Sequence, residues 1–94
     1  MHTVYILYSE KLNRYYTGYS QNLEKRLEFH IEKNESRKFT AKADDWVVFH
    51  KIACKTKNQA ECIEKHIKSM KSSKYIRNIK KYPEISEKLL EKYS

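Results

Sequence analysis

Glycine and proline are almost absent from this chain, which has one of each, Gly18 and Pro83, among 94 residues. Average usage would give about six glycines and about five prolines in a chain of this length. Because the chain has so few conformationally free points, the place of its only glycine carries weight. Gly18 lies in a β-branched and aromatic segment, where a glycine often marks the close approach of a ligand or of another backbone. We therefore predict that Gly18 lies at a binding surface.

The apolar residues suffice for one core but not for two. They make up 39% of the chain, and domains much below about 50 residues rarely fold alone, so we expect a single domain over residues 1–94. The longest apolar run, Val4–Tyr8, has five residues, too few for a membrane span or for the apolar region of a signal peptide. These features predict a cytoplasmic protein. Cys54 and Cys62 are expected to be reduced thiols in the core.

Basic residues outnumber acidic ones by 20 to 12, which gives a net charge of +8 and a sequence pI near 9.5. Such an excess favours a polyanionic partner, nucleic acid first and an anionic membrane surface a distant second. A membrane-surface protein would need the large apolar moment of an interfacial helix, which this sequence lacks. We therefore predict a nucleic-acid partner and no membrane partner, and the sequence indicates no particular protein partner.

Part of the positive charge is concentrated in a run without acidic residues between Lys65 and Lys81. The cations of this run are Lys65, Lys68, Lys71, Lys74, Arg77, Lys80 and Lys81. A spacing of three would wind them around one continuous helix, because each step falls about 60° short of a full turn. A break at Ser72-Ser73 would instead give two helices, each with a basic face. The predicted nucleic-acid contacts are Gly18 and, within this run, Lys65, Lys68, Lys74 and Arg77. The alternative for the run is a solvated surface.

Three segments rich in β-branched and aromatic residues predict strands, at His2–Tyr8, Tyr15–Tyr19 and Trp46–Cys54. The polar residues between the first two suit a hairpin turn. A hairpin centred between residues 10 and 11 would place Tyr5 directly opposite Tyr16, on one face of the sheet. A one-residue slip would put the two rings on opposite faces.

The rest of the chain predicts helices with apolar residues spaced three or four apart. They run from an N-cap at Asn22 to about Lys33, from Lys57 to Met70, from a cap at Ser72 or Ser73, and after Pro83. Their apolar stripes are Leu23, Leu27 and Ile31; Ala60, Ile63, Ile67 and Met70; Tyr75, Ile76 and Ile79; and Ile85, Leu89 and Leu90. The order ββαβααα predicts an α/β protein of the α+β type, in which helices flank a small three-stranded antiparallel sheet.

Several side chains could carry chemistry, and each also has a structural interpretation. Tyr5 and Tyr16 could act through their hydroxyls or form a stabilising cross-strand pair. Arg26 and His30 are one helical turn apart at the edge of an apolar stripe. There they could grip a phosphate and relay a proton, or be a snorkelling arginine and a half-buried histidine.

Glu64 is the candidate metal ligand. It follows Ala60 by four residues at the border of the stripe, whereas Glu61 is expected to point further toward solvent. A hard cation such as Mg²⁺ needs only one or two carboxylates, together with waters and phosphate oxygens. The alternative is a surface glutamate paired with Lys68 at i+4.

Taken together, these residues resemble the GIY-YIG nucleases. The segment Thr3–Leu7 followed by Tyr16-Thr17-Gly18 is similar to the family's paired signature, although it reads Thr-Val-Tyr and Tyr-Thr-Gly. Arg26 and His30 match the family's arginine-bearing helix. The segment 60–68 resembles the one that carries its metal-binding glutamate. The resemblance covers residues 3–70, followed by C-terminal helices over 71–94, and is closest in size to a small stand-alone group similar to the catalytic domain of excinuclease C.

The resemblance implies a metal-dependent endonuclease that hydrolyses phosphodiester bonds of DNA, in repair or recombination. Glu64 would hold one Mg²⁺ or Mn²⁺, Tyr16 would take a proton from the attacking water, and Tyr5 would orient the water or the phosphate. A free tyrosine has a pKa of about 10, so this role requires a nearby cation or a relay through His30. Arg26 would stabilise the developing charge. The alternative is a catalytically silent nucleic-acid-binding domain on the same fold.

Overall fold

Three antiparallel strands form the sheet of this protein, whose computed structural model describes residues 2–22, 25 and 45–94. The strands are β1 (His2–Ser9), β2 (Arg14–Ser20) and β3 (Val47–Cys54), and their order in the sheet is β2-β1-β3. Three helices follow, α1 (Lys57–Met70), α2 (Ser73–Lys81) and α3 (Pro83–Lys92). The predicted α+β class is confirmed. Most of the predicted helix 22–33 lies outside the described residues.

The register of the β1–β2 hairpin differs from the prediction by two residues. Tyr5 lies opposite Gly18, and Tyr16 lies opposite Leu7. Side chains alternate between the two faces of a strand, so a shift of two residues keeps each of them on its predicted face. Tyr5 and Tyr16 are therefore diagonal neighbours on one face instead of a directly opposed pair.

A turn of four residues between the strands accounts for this register. Asp45 accepts hydrogen bonds from the Ser9 hydroxyl at 2.6 Å and from the Lys11 backbone N–H at 3.0 Å. Ser9 Oγ accepts a bond from the Leu12 N–H at 3.2 Å, and Asn13 adopts a left-handed φ of 51°. The bond from Ser9, followed by that from Lys11, holds the pKa of Asp45 below its usual value. Because Asp45 is 36 residues from Ser9, no local pattern reveals its part in the turn.

The helix boundaries follow from capping side chains. α1 has the predicted bounds, and the Thr56 side chain accepts a hydrogen bond from the Gln59 N–H at 3.1 Å. Of the two predicted caps of α2, Ser72 is the one used, with its Oγ accepting from the Tyr75 N–H at 3.1 Å. Pro83 begins α3, where its missing N–H leaves no helical bond unmade. Two helices therefore replace one continuous basic helix, as predicted. No helix within residues 2–22, 25 and 45–94 has the length and apolar character needed to cross a membrane.

The main core lies between one face of the sheet and the helices. Its buried members are Val4, Ile6, Ile52, Cys54, Ala60, Ile63, Ile67, Ile76, Ile79 and Leu89. A second, smaller cluster on the opposite face is formed by Tyr5, Leu7 and Trp46, with Leu12 and Tyr16 packed against it. The alternation of side chains along β1 thus supplies residues to both clusters, and it separates Tyr5 and Tyr16 from the main core.

Two residues predicted to lie in the core are exposed. Met70 is 44% exposed, because it lies about 60° around the helix from Ile67 and in the last turn of α1. Cys62 is exposed because it lies about 100° from Ile63. Cys54 is buried, and burial raises the pKa of its thiol. Both thiols are free, so the prediction of reduced cysteines agrees with the structure, whereas that of two core cysteines is wrong.

Polar contacts fix α3 against the rest of the fold. Gln59 is buried, with its Oε1 accepting from the Lys55 N–H at 2.7 Å and its Nε2 donating to the Leu90 carbonyl at 2.9 Å. His50 Nε2 lies 3.1 Å from Ser86 Oγ. These contacts join α3 to α1 and to β3, the edge strand opposite β2.

Candidate active site

A cleft of about 670 Å³ lies beside β2 and the face of α1 that packs near it. We call it the edge cleft and define it by Tyr5, Tyr16, Gly18, Lys25, Lys57 and Glu64, which line it with His2, Tyr19, Ser20, Gln21 and Asn22. In the described part of the sheet, β2 is hydrogen-bonded to one neighbouring strand, β1. At this edge of the sheet, Tyr5 and Tyr16 of the smaller cluster line the same cleft as the Glu64 side chain of α1.

The ring of Tyr5, which is the cross-strand partner of Gly18, packs against one side of this glycine. A Cβ at position 18 would meet the Tyr5 hydroxyl oxygen at 2.7 Å and Cζ at 2.9 Å, closer than side chains pack. The close approach predicted from this glycine is thus made by a side chain of the same protein. Gly18 lets the buried Tyr5 ring lie across β2 with its hydroxyl at the strand that lines the cleft.

Tyr5 and Tyr16 form a tilted ring pair with centroids 6.4 Å apart and an angle of 39° between the planes. Tyr5 is 1% exposed, whereas Tyr16 is partly exposed. Diagonal neighbours across two strands are within reach of aromatic side chains. The two-residue shift in register therefore preserves the predicted association of the two rings.

Lys68 lies between Glu64 and Tyr16, two residues that line the cleft. Its Nζ is 3.3 Å from Glu64 Oε2 and 5.9 Å from the centroid of the Tyr16 ring. The Glu64 side chain is 15% exposed and that of Lys68 is 52% exposed. The i+4 ion pair of the structural interpretation is thus present, with a glutamate that also faces the cleft. Lys68 therefore places a cation near Tyr16, the predicted proton acceptor.

Glu61 is half-buried, as Glu64 is, although it was expected to point further toward solvent than Glu64. Its Oε2 accepts a hydrogen bond from the Tyr19 hydroxyl at 3.0 Å. Glu61 precedes Glu64 by three residues, so the two carboxylates share one side of α1. This spacing was the sequence signal for a second carboxylate near β2.

The edge cleft is compatible with one bound divalent cation. Within the described residues there is no group of three or more His, Cys, Asp and Glu side chains that could hold a metal. Glu64 is the carboxylate that lines the cleft, and Mg²⁺ can be bound by one carboxylate when waters and substrate phosphate oxygens complete its shell. The donor set therefore fits a cation shared with a phosphate-bearing ligand.

Arg26 and His30 lie outside the described residues. The hydrogen bond expected of an N-cap at Asn22 is present, because Asn22 Oδ1 accepts from the Lys25 N–H at 3.2 Å. Lys25 and Lys57 also line the cleft but were not singled out in the sequence. In a chain this rich in lysine, sequence alone does not identify the lysines that face a cleft.

The cations of the basic run are distributed over several surfaces. Lys65, Lys74 and Arg77 are exposed and do not line the edge cleft. Lys80 Nζ lies 4.7 Å from the centroid of the Phe49 ring, and Lys81 Nζ lies 5.5 Å from that of Tyr82. Lys68 is thus the predicted nucleic-acid contact that the described structure brings next to Glu64.

The comparisons with known proteins identify one family. The sequence matches the model of the GIY-YIG catalytic domain over residues 1–80. No curated protein and no solved structure matches the chain significantly. The matched segment contains both strands with the tyrosines, Gly18 and the whole of α1 with Glu64. The chain therefore belongs to the GIY-YIG nuclease superfamily.

Proposed function

We propose that the protein is a divalent-metal-dependent endonuclease that hydrolyses phosphodiester bonds of DNA in the edge cleft. The observation that carries the proposal is the convergence of Tyr5, Tyr16 and Glu64 on one cleft. Lys25 and Lys57 add positive charge to its lining, which favours a phosphodiester over a neutral ligand. Membership of a nuclease superfamily supports the same reaction class.

In this proposal the Tyr16 hydroxyl accepts a proton from the attacking water while its own proton passes to the relay proposed for His30. The Tyr16 ring is partly exposed at the cleft, and a cation, Lys68 Nζ, lies 5.9 Å from the ring centroid. The buried Tyr5 has less freedom to move, because Gly18 and the smaller cluster enclose its ring. Tyr5 therefore orients the water or the phosphate.

Glu64 would hold the divalent cation, Mg²⁺ or Mn²⁺. Such an ion, when bound, neutralises charge on the leaving oxygen of the scissile phosphate. The Glu64 carboxylate has to exchange its contact with Lys68 for the cation, and the exposed Lys68 side chain can then turn toward a phosphate oxygen. Arg26 as phosphate clamp and His30 as proton relay complete the proposed site. A role in DNA repair or recombination, a cytoplasmic location and kinship with the excinuclease C catalytic domain belong to the same proposal.

The experiment that tests this function is a cleavage assay on plasmid, single-stranded and branched DNA, with Mg²⁺ or with EDTA. Wild-type protein should cleave at least one substrate in Mg²⁺ and none in EDTA. Glu64→Ala should abolish cleavage with little change in melting temperature, because the ion pair that it removes is with the exposed Lys68, and exposed pairs contribute about 0–1 kcal/mol. The matched control is Glu87→Ala, an exposed glutamate of α3 outside the cleft, which should cleave normally.

Two outcomes would contradict the proposal. Full cleavage by a folded Glu64→Ala protein would remove Glu64 from the site. DNA binding by the wild-type protein without cleavage on any substrate would support the catalytically silent nucleic-acid-binding domain instead.

A further inference from the structure

A second groove, of about 650 Å³, lies between β2 and the junction of α1 with α2. We call it the junction groove and define it by Arg14, Tyr16, Lys68, Lys71, Ser72 and Ser73. Tyr16 lines both this groove and the edge cleft. Lys68, which pairs with Glu64 of the edge cleft, lines the groove as well. The two depressions are therefore adjacent, with Tyr16 and Lys68 at their boundary.

The junction groove is positively charged. Arg14, Lys68 and Lys71 line it, and its described lining contains no acidic residue. Arg14 and Lys71 are exposed, and neither forms an ion pair with an acidic side chain of the described residues. Two cations on opposite walls, one on β2 and one between the helices, thus face the same space without a partner carboxylate in the part of the chain that the structure describes.

Lys71 holds its position at a conformational cost. It is the C-cap of α1, with φ 47° and ψ 42° in the left-handed region, and its N–H donates to the Lys68 carbonyl. Glycine is the usual residue at such a helix end, because a Cβ is unfavourable there. A lysine at this point therefore has a less favourable backbone than glycine would have, and residues in strained backbone regions cluster at functional sites.

We propose that the junction groove binds the phosphodiester backbone of a nucleic-acid strand next to the bond held in the edge cleft. Arg14 and Lys71 each neutralise one phosphate from opposite walls, and Lys68 spans the boundary between groove and cleft. The proposal rests on the proposed function in that the ligand is the nucleic-acid substrate. It assigns binding to Arg14 and Lys71, two residues outside the contacts predicted from the sequence.

The test is the binding of a fluorescently labelled DNA duplex in EDTA, followed by anisotropy over a series of salt concentrations. Arg14→Ala/Lys71→Ala should weaken binding of all sequences and reduce the slope of log affinity against log salt by about 2, because each phosphate contact contributes about 0.9. The control is Lys88→Ala/Lys92→Ala, which removes the same charge from exposed positions of α3. That control should retain the wild-type slope.

A second variant separates binding from folding. Lys71→Gly removes the cation and relieves the left-handed backbone, so its melting temperature should equal or exceed that of the wild type. Its salt slope should nevertheless fall by about 1. Weakened binding by a protein of undiminished stability would support the groove in a way that a folding defect cannot.

Failure of this proposal is distinguishable from failure of the proposed function. Equal losses in the groove variant and the α3 control would overturn the groove, as would wild-type affinity and slope in Arg14→Ala/Lys71→Ala, whether or not the protein cleaves DNA. If the wild-type protein binds DNA through the groove but cleaves no substrate, the groove proposal would be supported and the nuclease proposal would be overturned.

Discussion

At the scale of single residues, the candidate site depends on how closely Tyr5 and Gly18 pack. The Tyr5 ring is buried in the smaller cluster on one side and lies over Gly18 on the other. A buried aromatic ring held in this way has few alternative positions, because interiors are close-packed. The only glycine of the chain therefore contributes space to the site, and its backbone needs no positive φ.

Gly18→Ala should destabilise the fold and impair the site together. The new Cβ would lie 2.7 Å from the Tyr5 hydroxyl and 2.9 Å from Cζ, so the ring or β2 must move. Overpacking of this kind costs about 1–3 kcal/mol. Urea denaturation measures the loss, and an unchanged midpoint with unchanged activity would show that the contact is easily relieved.

Tyr16→Phe should reduce cleavage by about 10²-fold or more, because it removes the proposed proton acceptor and keeps the ring. Its stability should change little. Tyr15→Phe is the matched control, since Tyr15 is the adjacent residue and packs against the main core. A wild-type rate in Tyr16→Phe, at an unchanged melting temperature, would show that another group takes the proton.

At the scale of secondary-structure elements, the sequence predicts features that depend on neighbouring residues, but not those that depend on contacts between residues far apart in the chain. The bounds of α1 follow from Thr56 and from the spacing of Ala60, Ile63 and Ile67, all of which are short-range signals. The hairpin turn is also held by Asp45, which contacts it although the two are far apart in the sequence. The hairpin centre predicted from sequence is therefore one residue from the observed centre, which shifts every cross-strand pair by two residues.

The residues of the candidate site likewise fall into those that the sequence predicts and those that it does not. Tyr5, Tyr16 and Glu64 were found because residue type and spacing point to them, and they do line one cleft. Lys25 and Lys57 were missed because sequence alone does not identify which lysines of a lysine-rich chain face a cleft. The carboxylate of Glu61 was missed because its contact with Tyr19 depends on how α1 packs along β2. The roles of these side chains and of Arg26 and His30 stay predictions.

The contact of β3 with α3 should make stability depend on pH through His50. Burial, and to a lesser degree the charge of Lys80, hold the pKa of His50 below its usual value. The folded state thus disfavours the protonated ring. The stability that depends on a neutral His50 is therefore fully present above about pH 6.5, and it is lost as the pH falls toward the folded-state pKa.

Denaturation midpoints at pH 7.5 and 5.5 measure this effect. The wild type should lose more stability on acidification than His50→Gln, which does not titrate. Lys80→Gln should fall between the two, because burial is the larger cause. Parallel losses in wild type and His50→Gln would place the pH dependence elsewhere.

At the scale of the whole molecule, charge is the dominant feature. The net charge is +8, and of the seven cations between Lys65 and Lys81 only Lys68 pairs with an acid of the described residues. Excess charge of one sign destabilises a compact state through self-repulsion. The same charge attracts a polyanion, so binding and folding stability should respond to salt in opposite directions.

The melting temperature should therefore rise as NaCl increases from about 10 mM to about 100 mM, which shortens the screening length from about 30 Å to about 10 Å. Lys65→Gln/Lys74→Gln/Arg77→Gln, three exposed positions of the run, should melt higher than wild type at low salt and show a smaller rise. Lys51→Gln/Lys88→Gln/Lys92→Gln removes the same charge from exposed positions outside the run and should retain more of the salt effect. Repulsion is strongest where like charges are close, so equal behaviour of the two triple variants would show that net charge, not its concentration in the run, limits stability.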